Sequence, residues 1–416
     1  MPCRSAVKRQ FTRFFANKEA GVAPLLALVA LPVMTSIGAA IDFGRASAAR
    51  VAMQSALDAT TIIMAKDAKN VDAGQLNATA LQYFNANFQN AEISEVTVTA
   101  SSSSTANGYA ASATASGTIK TRFMSVIGYS ELNIAARSAA SAAVDGLGCV
   151  LSLNQHADSA TSGQGSTTVT LDGCSLYDNS DSPTALTAGG SAQINAYSVG
   201  VVGNVTGASN ITTVQGIRTG MGQVFDPYAD SHFSIPGACT SQNFKAKDTV
   251  TIDPGVYCDG INLNAGANVT LNPGIYYLDG GDLTVNGGAT LSGDNVTLVF
   301  TSKNRNSFAT ASINGNATIN LTPPKIGGTA GIVIFGDRNM PVGTLFKFNG
   351  GATQYLGGAI YLPKAAVNFS GGIKSGSNCT QLIGDTVTFT GNSGFSLNCK
   401  NYGTRPFSAN VVKLTS

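Results

Sequence analysis

One stretch constrains the chain before anything else. Gly21 to Ile41, GVAPLLALVALPVMTSIGAAI, holds 21 residues without a charge and begins only twenty residues in. As a helix it spans about 30 Å, the thickness of one hydrocarbon core. Pro24 falls early, where a missing N–H costs little, and Pro32 falls mid-run, where membrane helices tolerate a kink. Arg4, Lys8, Arg9, Arg13 and Lys18 precede the run against one acid, Glu19. The excess of bases on that side predicts a cytoplasmic N-terminus, with the remainder across the membrane.

A cleaved signal peptide has the same charge order, and Ala39 and Ala40 are small enough for cleavage. Its apolar region would be unusually long, however, and the helical pattern runs on from Asp42 to about Lys66 through Ala, Met, Gln and Leu, strong helix formers. One continuous helix, embedded and then solvent-exposed, is the simpler expectation. Within its second half, Ala52 and Ala56, with Leu57 and Ala59, mark a small-residue packing face.

The residues around this run resemble a known family. Arg13-Phe14, Gly21, the exit Ala40-Ile41-Asp42-Phe43-Gly44-Arg45, and Gln54-Ser55-Ala56-Leu57-Asp58-Ala59 are similar to the N-terminal segment of TadG-like proteins of the Flp/Tad pilus-assembly system. The resemblance spans roughly residues 11–66. It implies a single-pass protein of the bacterial inner membrane, with its C-terminal domain in the periplasm and other pilus-assembly proteins as partners. Related pseudopilins are processed after a Gly and carry a Glu five residues later. Leu26 stands there in this chain, which argues against such processing.

The rest of the chain has an exported texture. Only 12% of residues are charged, and Gly numbers 47 of 416. Net charge is +2 overall, but residues 1–20 contribute +4, so the remainder is weakly acidic. With no basic stripe outside the tail, no nucleic-acid partner is expected. Cys3 precedes the run; the other six cysteines fall into neighbouring couples, Cys149 and Cys174, Cys239 and Cys258, Cys379 and Cys399. An even set on the oxidising side predicts disulfides. Six cysteines allow fifteen pairings, of which neighbour pairing is the natural one. No CxxC occurs, and His156 and His232 stand far apart, so neither a metal site nor a cofactor is expected.

Four segments follow: a basic tail (1–20), the helix and its extension (21–66), a small α+β domain (67–146) and a Gly/Asn-rich β-solenoid (147–416). In the third, Leu76 to Phe88 reads as a short helix, while Ile93 to Ala100, Gly108 to Lys120 and Leu132 to Ala140 alternate as half-buried strands do. In the fourth, short strands are punctuated by Gly, Asn and Pro. Asp253-Pro-Gly-Val-Tyr257 recurs as Asn272-Pro-Gly-Ile-Tyr276, a period of 19. Strands this short bury an apolar side only by stacking, which favours a right-handed parallel β-helix, with a β-sandwich as the alternative. The fold expected is therefore mainly β behind one transmembrane helix.

Several residues tempt a chemical reading. Asp178-Asn-Ser180-Asp-Ser182 spells an adhesion-type metal motif, but without the hydrophobic lead-in that chemistry needs, so a polar turn is expected. Asp253, Asp259, Asp279, Asp282 and Asp294 gather along the chain so that stacked turns would line some of them on one face, and Tyr257, Tyr276, Tyr277, Tyr355 and Tyr361 suggest an aromatic stripe. Corner solubility and core stacking are the plainer readings of each. No catalytic constellation emerges, and the chain reads as a non-enzyme. The expected function is structural, in assembling or anchoring a pilus. A surface adhesin or polysaccharide-binding protein, with a glycan or other surface ligand, is the alternative.

Overall fold

The structure is a computed structural model that describes residues 22–67, 72–90, 92–105, 108–349, 354–370, 379–397, 399 and 402–415. Gly21 and the basic tail lie outside the described residues. The chain divides into two units, Met1–Ala143 with Val411–Ser416, and Val144–Asn410.

The first unit is organised by α1, Val22–Asp67, a helix of 46 residues that continues through Pro32. Hydroxyls of Thr35 and Ser36 donate to the Leu31 and Pro32 carbonyls at 2.7–3.0 Å, using acceptors around the proline. This is a helix long and apolar enough to cross a membrane. Its first half exposes Leu25, Leu26, Leu28, Leu31, Met34 and Ile37. Its second half buries Ala49, Met53, Ala56, Leu57, Thr60 and Met64, a stripe at helical spacing. Ala52 is exposed, so of the two alanines singled out in the sequence only Ala56 belongs to that stripe.

A short helix, α2 (Leu76–Asn87), adds Leu76, Ala80 and Phe84 to the same core. Strands β1 (Ile93–Thr105), β2 (Gly108–Lys120) and β3 (Glu131–Val144) form an antiparallel sheet, completed by Asn410–Leu414 beyond β3. Alanines 111, 113, 115, 136 and 140 fill the inner face. Such small side chains let a helix backbone lie close to a sheet. On the outer face hydroxyl pairs run down the strands: Thr97–Ser116, Thr99–Thr114 and Ser101–Ser112, at 2.6–2.8 Å.

The second unit is built from short parallel strands in three sheets, of 17, five and four strands. Residues from all three, among them Leu171, Leu271, Leu298 and Phe389, bury into one core. The five-stranded sheet shows the design. Ile252, Leu271, Gly293, Leu321 and Leu356 stand in register on successive strands. Tyr257 and Tyr276 stack inside the body, ring centroids 5.8 Å apart.

The expected open right-handed β-helix, laid down in chain order, is overturned by the pairing. The unit's first strand, Gly148–Ser152, pairs in parallel with Thr380–Gly391, near its end. Thr168–Asp172 likewise pairs with Ser393–Ser396. From its first strand the chain steps outward to Ile217–Arg218. It resumes with Ser241–Ala246 at the opposite edge of the large sheet, and returns strand by strand to its starting point. First and last strands are neighbours, so the body is a closed, barrel-like parallel β-structure around its core, not an open solenoid. The β-sandwich alternative also fails, because sandwiches are built of antiparallel strands and these ladders are parallel.

The passage from one edge to the other is made by residues 219–240, which cross the outer face of the large sheet as a strap. Val224 and Tyr228 bury there against Tyr177, Val256, Tyr277, Val299 and Phe335. Central strands such as Val296–Thr301 and Ile332–Gly336 are therefore buried on both faces, which is why their sequences are mostly apolar, and the buried Thr297 hydroxyl donates to the Ile332 carbonyl at 2.7 Å. Polar ties hold the strap along its length. Asn179 exchanges two hydrogen bonds of 2.8 Å with the Val224 backbone, and Tyr228 donates to Gln381 at 3.1 Å. Asp226 accepts from Arg338 at 3.0 Å and from Tyr361 at 2.8 Å.

Candidate functional site

The five-stranded sheet ends in a corner where one position repeats. Asp253, Asn272, Asp294 and Thr322 each follow the last paired residue of a strand, so the register stacks them one above another. Asn272 Nδ2 donates to Asp253 Oδ1 at 2.7 Å, and Thr322 Oγ1 donates to Asp294 Oδ1 at 2.7 Å. The next residue in this row is Gly357. A Cβ there would stand 3.0 Å from the Tyr402 ring, so the glycine makes room for an aromatic from the C-terminal segment. The Tyr402 hydroxyl is hydrogen-bonded to Tyr355, whose phenol is held well above its ordinary pKa by burial and then by Tyr402 itself.

Beside this ring lies an open cavity of about 400 Å³, lined by Asp294, Asn295, Thr322, Pro323, Lys325 and Tyr402. Carboxylate, amide, hydroxyl, ammonium and an aromatic edge thus face one hollow at the end of a polar row. Such a lining suits a ligand rich in hydroxyl groups, which exchanges many hydrogen bonds and lays its C–H faces on a ring.

The five acids noted in the sequence are divided by the fold. Asp253 and Asp294 share this corner row. Asp259, Asp279 and Asp282 are engaged elsewhere: by Gln242 Nε2 at 3.0 Å, by the Lys303 amide at 2.7 Å, and by the Thr310 amide and hydroxyl at 2.7 and 2.8 Å. The tyrosines do not form a stripe, since Tyr257 and Tyr276 point into the core while Tyr277 and Tyr361 lie under the strap. Sequence reasoning missed Tyr402, Asn295 and Thr322 as site residues. Asn295 has a trace in the sequence, as a corner residue with φ +56°, but nothing local ties Tyr402 to Gly357.

The motif Asp178 to Ser182 is a buried turn. Asp178 Oδ1 accepts the Ser180 amide at 2.9 Å, Ser180 Oγ donates to the Ala157 carbonyl at 2.7 Å, and Ser182 is hydrogen-bonded to Asp158. The two hydroxyls are committed to other partners. Burial pushes the Asp178 carboxyl up to about 6, against smaller opposing hydrogen bonds from Ser180 and Thr161. His156, which has no obvious partner in the sequence, lies 3.1 Å from Asp181, both side chains exposed. Among the described residues, no three His, Cys, Asp or Glu side chains are grouped to hold a metal. The six cysteines form Cys149–Cys174, Cys239–Cys258 and Cys379–Cys399, the second fixing the far end of the strap.

In the first unit the exit of the apolar run is a built junction. Asp42 is buried, and its carboxylate accepts the backbone N–H groups of Arg122, Phe123 and Met124 at 2.8–2.9 Å. It thereby caps the 3-10 turn Met124–Ile127, as a carboxylate at a helix N-terminus does. Arg45 reaches Asp42 at 3.3 Å and Glu92 at 3.1 Å, while Ile41 remains exposed. Residues 21–62 match the family model described as putative Flp pilus-assembly TadE/G-like. The match ends inside α1, so the TadE/G-like relationship is that of the N-terminal segment. No curated protein and no solved structure matches the chain.

Proposed function

We propose that this is a membrane-anchored binding protein. Helix α1 holds the chain in the bacterial inner membrane, with its N-terminus in the cytoplasm, and the β-body presents a ligand-binding corner in the periplasm or at the surface. The reading is that of an adhesin or polysaccharide-binding protein. The observation that carries it is the row Asp253, Asn272, Asp294 and Thr322, leading to the cavity at Tyr402. The row's carboxylates already accept from side-chain neighbours, which makes a hydrogen-bonding surface, not a paired acid and base, and the proposal assigns binding without catalysis. Full-length protein in lipid nanodiscs should be retained on an immobilised acidic or neutral polysaccharide, and Tyr402→Ala should elute early. Equal retention of the variant, or no retention on a broad glycan panel, would refute it.

A second reading, assembly or anchoring of a Flp/Tad-type pilus through protein partners, is favoured by the match over residues 21–62. It predicts that the detergent-solubilised protein co-purifies with pilus-assembly components from its own cells, and that Asp42→Ala breaks the association. Intact pili after deletion of the gene would count against it.

A further inference from the structure

We propose that Phe123, Val126, Ile127 and Tyr129 form a second membrane contact, lying in the headgroup–acyl boundary of the bilayer that α1 crosses, on the side where the helix emerges. The inference rests on the membrane-spanning reading of α1. These four residues belong to the connection between β2 and β3. They are exposed to 48%, 83%, 50% and 61%, a cluster of large apolar side chains with nothing over it in the unit. Soluble surfaces scatter such residues singly.

The connection is not loose. Asp42 holds the amides at its base, the Tyr129 amide donates to the Met124 carbonyl at 3.0 Å, and the Thr121 amide donates to Ser130 at 3.0 Å. The apolar side chains are therefore presented outward by a fixed turn.

Its position identifies the occupant. A Cβ on Gly38 would stand 2.6 Å from the Phe123 Cβ, so the turn lies directly against α1 at a residue inside the uncharged run. Gly38 precedes Asp42 by about one helical turn, or roughly 6 Å. The turn is thus anchored at the level where the apolar helix gives way to charge. Ile41 and Phe43 are exposed at the same level of α1. Tyr129 has the amphipathic ring found at such boundaries. A protein partner needs no such match in depth between the turn and the end of the apolar run; a bilayer surface requires it.

The chain contains no tryptophan, so a single introduced one reports its own surroundings. Full-length Val126→Trp, Leu31→Trp and Ser103→Trp would be reconstituted in vesicles containing phosphatidylglycerol and lipids brominated either near the carbonyl or near the chain end. Leu31 is exposed within the apolar run and Ser103 is exposed on β1. The proposal expects Val126→Trp emission to shift to the blue and to lose most of its intensity with shallow bromine, while Leu31→Trp is quenched best by deep bromine and Ser103→Trp by neither. Val126→Trp emission like that of Ser103→Trp overturns the proposal while leaving the anchor intact. Blue-shifted emission untouched by bromine also overturns it, since protein would then cover the turn. An unquenched Leu31→Trp would sink the anchor itself and this inference with it. Tyr129→Trp repeats the measurement at a second site on the turn.

Discussion

Asp178→Asn isolates the cost of a charge kept inside the β-body. The folded carboxyl titrates at about 6 against an ordinary 3.8, and burial is the main cause. The sign follows from linkage. A folded-state pKa above the unfolded one means that the native state binds the proton more tightly, so stability is greatest below the ordinary value and falls as pH rises through about 6. At 1.36 kcal/mol per unit, the difference is about 3 kcal/mol at neutral pH, most of it developing between roughly pH 4 and 6.5. Asparagine keeps an oxygen to accept the Ser180 amide and carries no charge at any pH. The measurement is urea unfolding of the full chain in detergent micelles at a series of pH values, followed by far-ultraviolet circular dichroism. Wild type should lose stability across that window more steeply than the variant, and the variant should be the more stable at pH 7. Parallel pH profiles, or a variant less stable at pH 7, would mean that the carboxylate is compensated by partners and the burial argument is wrong.

Other outcomes follow from the same structure. Asp42→Ala removes the acceptor of three backbone amides, so hydrogen exchange at Arg122, Phe123 and Met124 should accelerate while that of Ala113 and Ala136 stays slow. The double replacement Cys239→Ser, Cys258→Ser frees the strap end and should cost about 3 kcal/mol by loop-closure entropy, read as new proteolytic cuts within residues 219–240. Phe346→Ala, at a fully buried ring packed 5.2 Å from Phe300, should cost roughly 3–5 kcal/mol, seen as a lower urea midpoint. Gly281→Ala puts a Cβ 2.0 Å from the Asp259 carbonyl carbon and should lower expression of folded protein, whereas Gly315→Ala, with open space around it, should not.

The sequence spoke most clearly where the signal is local. An uncharged run followed by helix formers is one helix because nothing in Asp42 to Lys66 stops it. The two Pro-Gly-[Val/Ile]-Tyr copies marked neighbouring strands, and Ile252 and Leu271 do pair at that spacing of 19. The repeat then fades for a physical reason. Later steps along the same sheet lengthen to 22, 28 and 35 residues (Asn268 to Thr290, Thr290 to Thr318, Ile319 to Gln354), because corners absorb insertions while the strands keep register. The order of stacking was not legible at all, since the pairing of Gly148–Ser152 with Thr380–Gly391 leaves no local pattern. The same holds for the candidate site. Asp253, Asn272 and Asp294 are visible as corner residues, but the ring that completes the cavity arrives from the far end of the chain. Nothing local to Val224 and Tyr228 signals the sheet that the strap covers.

The closure of the body also sets a schedule. Asn154 meets Asp385, 231 positions later, and until that segment arrives one edge of the opening strand has no partner. A chain threaded across a membrane from its N-terminus would expose this template for most of its passage. Exposed edges recruit other chains, and contacts this distant in sequence form slowly. On the proposed orientation, production of this protein should depend on a holding factor on the far side of the membrane, and truncation before Thr380 should yield aggregates in place of a smaller folded body.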